Sequence, residues 1–77
     1  MAKVWFQNSE HLERVIAEVN NWNEAWKAIH QFLADHHYTS HYQRIWEAED
    51  GRTQVDVGSW SEFFFVNLPT KEITYDN

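Results

Sequence analysis

The sequence has no cysteine, only one proline and only two glycines. The absence of cysteine excludes a disulfide-stabilised scaffold, a thiolate zinc site and a cysteine nucleophile, and it is typical of proteins of the reducing cytosol. The scarcity of proline and glycine argues against a linker or a low-complexity tail. No apolar run is long enough for a membrane span or a secretory signal, so we expect a cytoplasmic protein without a membrane partner.

Basic residues are also few, because six Lys and Arg stand against 12 Asp and Glu, which gives a net charge of -6 at pH 7. A protein that binds nucleic acid through phosphate contacts needs a basic surface, so direct binding of nucleic acid is not expected. The 77 residues predict one domain, residues 1–77, with no room for a separate cofactor domain. Aromatic residues are abundant and make up 17 % of the chain, and their large side chains can build a core in so short a protein.

The first half of the chain predicts a short strand followed by two helices. Residues 2–6 are apolar and β-prone and end at a polar turn, as a strand does. Ser9 then has the position of a helix N-cap, and apolar residues follow at helical spacing: Leu12, Val15, Ile16 and Val19. Asn21, with Glu24 three residues later, predicts the cap of a second helix that ends near His36.

In the second half the apolar period changes to two, which indicates β-strands. Strands are predicted at residues 42–48, 53–57 and 62–68. The Asp50-Gly51 pair favours a tight hairpin turn between the first two, and residues 71–75 predict a short edge strand. The predicted fold is therefore α+β: a short N-terminal strand, two helices and a three-stranded antiparallel meander, with the helices packed on one sheet face.

The sequence contains no pattern that indicates catalysis or a metal centre. His36 and His37 are neighbours on a predicted helix end, so their rings point about 100° apart and do not converge on one metal ion. Ser40 stands beside His41, but no glycine supplies the strained turn that a serine nucleophile requires. We expect neither an enzyme nor a cofactor.

The negative charge is concentrated in the second half of the chain. Residues 45–77 hold seven acidic and two basic side chains, a net charge of -5, whereas residues 1–44 have a net charge of -1. Such an acidic region is often a solvated surface that aids solubility. The alternative is a surface that imitates spaced phosphates and occupies the basic groove of a nucleic-acid-binding protein. The residues predicted to bind that partner are Glu47, Glu49, Asp50, Asp56, Trp60 and Glu62.

Trp60 follows a Gly-Ser turn between two predicted strands that already have enough apolar residues. An exposed tryptophan there would be an apolar anchor for a partner, whereas a buried one would fold back over the sheet. The same question concerns Trp5, Trp46, Tyr42 and the phenylalanines of the last strand, because helices cover only one sheet face. An uncovered aromatic face would suit a homodimer, so self-association is the alternative function.

Residues 56–66, Asp-Val-Gly-Ser-Trp-Ser-Glu-Phe-Phe-Phe-Val, resemble a segment of small acidic accessory proteins that are encoded by phages and prophages of Gram-positive bacteria. In size and charge the chain is also similar to phage inhibitors of host defence, such as anti-CRISPR proteins. The resemblance implies a non-enzymatic inhibitor or modulator of a host nucleic-acid-binding protein, for example a CRISPR nuclease or a restriction enzyme. It implies no catalytic residue.

Overall fold

The computed structural model describes residues 1–38, 42–59 and 61–72, which form five strands, one α-helix and one turn of 3-10 helix. The strands are β1 (Ala2–Gln7), β2 (Glu13–Val19), β3 (Arg44–Glu47), β4 (Thr53–Asp56) and β5 (Phe63–Val66). The α-helix, α1, spans Trp22–Asp35, and the 3-10 turn spans Thr70–Glu72.

The five strands form one antiparallel sheet in the order β2-β1-β5-β4-β3. The predicted fold of two helices and a three-stranded meander is therefore wrong. Strands β3, β4 and β5 do follow one another as antiparallel neighbours, but β1 and β2 extend the same sheet. The predicted edge strand at residues 71–75 begins in the 3-10 turn, and its residues 73–75 lie outside the described part of the chain.

The first predicted helix is strand β2, and a β-bulge explains the error. In the pairing of β1 with β2, Val4 lies opposite Ala17 and Trp5 lies opposite Val15, so Ile16 is an extra residue. A bulge breaks strict alternation, so the apolar spacing along β2 resembles that of a helix. The β-branched side chains of Val15 and Ile16 favour a strand at the same positions.

Ser9 does not cap a helix but lies in the turn of the β1–β2 hairpin. The side-chain oxygen of Asn8 accepts hydrogen bonds from the backbone N–H of Glu10, at 2.9 Å, and of Leu12, at 3.0 Å. His11 adopts a left-handed conformation with φ of 65°. An asparagine that binds its own following backbone favours a turn over a helix, so the two strands are joined here as a hairpin.

Helix α1 begins where the sequence predicts. Asn21 accepts a hydrogen bond from the backbone N–H of Glu24 at 2.9 Å, and the Glu24 carboxylate accepts one from the N–H of Asn20 at 2.9 Å. This reciprocal arrangement satisfies backbone donors at the helix start, and the prediction of a capped helix from Asn21 to about His36 is confirmed.

The core lies between α1 and one face of the sheet. From α1 the buried residues are Trp22, Ala25, Trp26, Ile29 and Leu33. The facing residues of the sheet are Val4, Val19, Val55, Phe64 and Val66. Because side chains alternate along each strand, the residues between them point to the opposite face of the sheet. That opposite face carries the candidate functional site.

Candidate protein-binding face

The sheet face that points away from α1, here called the open face, is rich in aromatic side chains. They are Trp5, Tyr42, Trp46, Phe63 and Phe65. The side chain of Trp46 is 38 % exposed and contacts Phe63 edge-on, with ring centres 6.3 Å apart. In the described part of the chain no second α-helix covers this face. Clustered exposed apolar side chains are typical of an interaction surface.

Arg52 lies across the centre of the open face. Its guanidinium carbon is 4.7 Å from the ring centre of Trp5 and 4.3 Å from that of Phe65, within the range of cation–π attraction. It donates two hydrogen bonds to the carboxylate of Glu13, at 2.8 and 3.1 Å, and one from Nε to Asp50, at 2.8 Å. These contacts hold the side chain of Arg52 over the two rings, and we call this group the Arg52 clamp.

The clamp connects two strands that are not neighbours in the sheet. Arg52 directly precedes β4, while Glu13 begins β2, and strands β5 and β1 lie between them. The two long side chains meet across this separation over the open face. Hydrogen bonding to Glu13 favours the charged form of Arg52 more than burial opposes it, so the pKa of Arg52 is raised above its ordinary value.

The clamp also lowers the pKa of Asp50, chiefly through the side-chain hydrogen bond from Arg52 and then through the backbone N–H of Arg52. A carboxylate with a lowered pKa stabilises the folded state above its unfolded pKa of about 3.9, and this contribution is lost as the pH falls through the folded pKa. We therefore expect Asp50→Asn to lose less stability than the wild type between pH 5 and pH 3. Urea unfolding midpoints at the two pH values measure this difference.

The matched control for that prediction is Glu49→Gln. Glu49 is the exposed neighbour of Asp50 and has no ion pair within the described residues. This variant should keep the pH dependence of the wild type. If Asp50→Asn and Glu49→Gln shift the acid response equally, the clamp is not the cause of the response.

Three of the predicted partner-binding residues meet at the tip of the β3–β4 hairpin. Glu47, Glu49 and Asp50 line a shallow hollow of about 580 Å³ together with Trp46 and Arg52. Glu13 also borders this hollow, so four carboxylates and one guanidinium surround it. The guanidinium is already paired with two of the four, which leaves excess negative charge beside the exposed ring of Trp46.

The other predicted residues lie elsewhere. Asp56 is only 2 % exposed, and its carboxylate accepts hydrogen bonds from Arg44, at 2.8 and 3.2 Å, and from the N–H of Gly58, at 2.9 Å. Glu62 is half-buried at a cavity on the α1 side of the sheet. Trp60 lies outside the described residues. The described predicted residues therefore do not share one acidic surface, and only those of the hairpin group are classed as exposed.

Sequence reasoning missed the residues that organise the open face. Arg44 and Arg52 were counted only as charges, although each neutralises a carboxylate that was predicted to bind a partner. Glu13 was placed on a helix, far from the acidic region. The position of Arg52 directly after an Asp-Gly turn is a local signal for its contact with Asp50, but no local signal points to Glu13, 39 residues away.

Two kinds of feature are absent from the described residues, a metal centre and a membrane-spanning helix. Residues 1–38, 42–59 and 61–72 contain no group of three or more His, Cys, Asp or Glu side chains that could hold a metal ion. Within the same ranges, no helix has both the length and the apolar character needed to cross a membrane.

Comparison with known proteins finds no family model, no curated protein and no solved structure that matches this chain.

Proposed function

We propose that this protein is a non-enzymatic interaction module that docks the open face of its sheet on a partner protein with a basic surface. The observation that carries the proposal is the exposed ring of Trp46, which borders two hollows of the open face. One hollow is lined by Tyr42 and Phe63, and the other by the carboxylates of the hairpin tip. Tryptophan beside a desolvated apolar hollow is the residue type most enriched among binding hot spots.

The negative charge around Trp46 indicates that the partner has a basic surface. Glu47 and Glu49 are exposed and have no ion pair within the described residues, so a docked lysine or arginine would find unpaired carboxylates next to an aromatic face. A cation binds favourably both to a carboxylate and to the face of an aromatic ring. The net charge of -6 also attracts a basic protein over distance and speeds the encounter.

A basic surface of this kind is characteristic of proteins that bind nucleic acid. We therefore propose a cytoplasmic host protein of that class as the partner, with the module acting as its inhibitor or modulator. The resemblance of residues 56–66 to phage accessory proteins supports the same partner class. The accessible acidic residues of this proposal are Glu47, Glu49 and Asp50, because the carboxylate of Asp56 is buried and paired with Arg44.

The test is capture from a lysate of the source organism with the immobilised wild type, at low and at high salt. We expect one basic protein to be retained at low salt, to be released as salt screens the charges, and to bind again after purification. Trp46→Ala and the double variant Glu47→Lys/Glu49→Lys should each lower its affinity at least about tenfold, which corresponds to about 1.4 kcal/mol.

The control is the double variant Glu10→Lys/Asp35→Lys, which changes the net charge equally at exposed positions in the β1–β2 turn and on α1. It should retain the partner better than the hairpin variant does. Equal retention by the wild type, Trp46→Ala and the hairpin variant would refute the proposal.

Self-association through the open face is the second candidate function. It is favoured by the exposure of Val15, Tyr42 and Trp46, at 47 %, 47 % and 38 %. Val15 and Trp46 lie on the two edge strands, β2 and β3, and Tyr42 lies just before β3. Sedimentation equilibrium distinguishes the two functions. A dimer at micromolar concentration that Trp46→Ala dissociates, with little effect of salt, would replace the basic partner by a second copy of the chain.

A further inference from the structure

A second candidate site lies on the other side of the sheet. It is bordered by the last turns of α1, the C-terminal end of β1 and the N-terminal end of β5. It is a half-open cavity of about 210 Å³. Its lining residues are Phe6, Phe32, Leu33, His36, Tyr38, Val57, Ser59, Glu62 and Phe64. Protein interiors are close-packed and seldom contain voids of this size, so the cavity is a candidate for a ligand.

The walls of the cavity are aromatic. The ring centres of Phe6 and Phe32 are 4.6 Å apart, and Phe64 lies 5.4 Å from Phe6 and 5.6 Å from Phe32, edge-on to the latter. Aromatic rings attract further rings in tilted and edge-on arrangements. A flat aromatic molecule therefore matches these walls better than a branched aliphatic one.

The polar side chains that line the cavity are those of His36, Tyr38, Ser59 and Glu62. The ring of His36 stacks on Phe32 at 4.1 Å, and its Nδ1 is 2.8 Å from the carbonyl oxygen of Phe32. A carbonyl only accepts, so Nδ1 of His36 carries a proton and donates it to this hydrogen bond. The carboxylate of Glu62 accepts a hydrogen bond from the hydroxyl of Ser59 at 3.4 Å and has further acceptor capacity.

The charge of Glu62 disfavours anionic ligands. Its carboxylate contributes a negative charge, and no lysine or arginine is among the described residues that line the cavity. The guanidinium of Arg14 lies 5.5 Å from the ring centre of Phe32. A phosphate or carboxylate group placed beside Glu62 would meet repulsion from its carboxylate. A group with N–H donors, and above all a cationic one, is attracted instead.

We propose that this cavity binds a planar aromatic molecule of one or two fused rings that carries an amine or another N–H donor. The rings pack against the side of the Phe6, Phe32 and Phe64 cluster that lines the cavity, and the donor points to Glu62. An engineered apolar cavity of about 150 Å³ accommodates benzene, so a cavity of about 210 Å³ suits a slightly larger ring system such as an indole. The inference is independent of the function proposed for the open face.

The test is a titration of the 15N-labelled protein, in which amide chemical shifts are measured. The three probes share one ring system and are tryptamine, indole and indole-3-acetate. We expect tryptamine to bind at least about tenfold more tightly than indole-3-acetate, a difference of about 1.4 kcal/mol. Indole should have an intermediate affinity. The chemical-shift changes should centre on Leu33, His36, Val57 and Phe64. Absence of saturable shifts at these residues, or equal affinity for tryptamine and indole-3-acetate, overturns the proposal.

Two variants make the test specific. Glu62→Gln keeps the size of the side chain and removes its charge, so it should abolish the preference for tryptamine while indole still binds; Glu10→Gln is the control that should change neither. Trp60→Ala is titrated in parallel, because an indole of the chain itself would compete for an aromatic site. Binding of the probes to this variant alone, and not to the wild type, overturns the assignment of an external ligand.

Discussion

Replacement of Trp26 by alanine is expected to lower the free energy of unfolding by about 3–5 kcal/mol, the range for loss of a large aromatic side chain from a core. Trp26 is 1 % exposed and lies in the layer between α1 and the sheet. A domain of this length has a total stability of about 4–12 kcal/mol. Chemical denaturation should therefore show a clearly lower midpoint for this variant, and a wild type at the lower end of that range would leave the variant mostly unfolded at 25 °C.

The matched control is Trp46→Ala, the same substitution on the open face. Trp46 is 38 % exposed and makes an edge-on contact with Phe63, so we expect a loss of about 1 kcal/mol. A loss as large as that of Trp26→Ala would contradict this account, because it would mean that the open face is part of the folding core and is not available to a partner.

Replacement of Arg52 by alanine is the second large effect, with an expected loss of about 2 kcal/mol. Each cation–π contact contributes about 0.5–1 kcal/mol, and each partly exposed ion pair contributes about 0.2–1 kcal/mol. The variant also uncovers Phe65, which is only 6 % exposed beneath the guanidinium. Urea denaturation measures the loss, and a rise in the binding of a hydrophobic dye would report the uncovered rings.

Arg14 supplies the control for the Arg52 clamp. Its guanidinium carbon lies 5.5 Å from the ring centre of Phe32, but its side chain is exposed and no ion pair is found for it within the described residues. Arg14→Ala should change stability by no more than about 0.5 kcal/mol. Arg52→Lys should lose part of the stability, because lysine keeps the charge but cannot donate a two-pronged bond to Glu13. Equal losses for Arg14→Ala and Arg52→Ala would show that the clamp does not stabilise the sheet.

Several elements of the fold are predicted from short stretches of the sequence. The cap at Asn21 is read from a short polar residue followed by Glu24, and both make the expected hydrogen bonds. The turn at Asp50-Gly51 is read from a pair suited to a left-handed backbone, and Gly51 has φ of 90°. The N-terminal strand is read from β-prone residues, and it pairs with β5. For the cap and the turn, neighbours in the sequence supply the determining interaction.

The identity of β2 was not predictable in the same way, because a bulge and a helix produce the same apolar spacing. Leu12 and Val15, taken as the buried side of a helix, are 63 % and 47 % exposed. Ile16 and Ala17 are adjacent in the sequence, yet both pack against the core on the α1 side. The pairing with β1 across the hairpin, together with the turn at Asn8, decides between the two structures.

The candidate site, like the fold, has features that the sequence predicts and features that depend on strand pairing. The acidic hairpin tip and the aromatic sheet face were both expected from composition and alternation. The burial of Asp56 was not, since its partner Arg44 lies across the β3–β4 ladder and turns a predicted surface charge into a structural ion pair. Charge counts along a chain show how many carboxylates exist, but they do not show which of them are already paired.

The claim that the open face is the binding surface is tested most directly by chemical-shift mapping of the 15N-labelled protein saturated with its captured partner. We expect the largest amide shift changes to centre on Tyr42, Trp46, Glu49 and Phe63. The exposed residues of α1, such as Lys27 and Gln31, should change little. Shift changes centred on α1, with those four residues unmoved, would contradict the account.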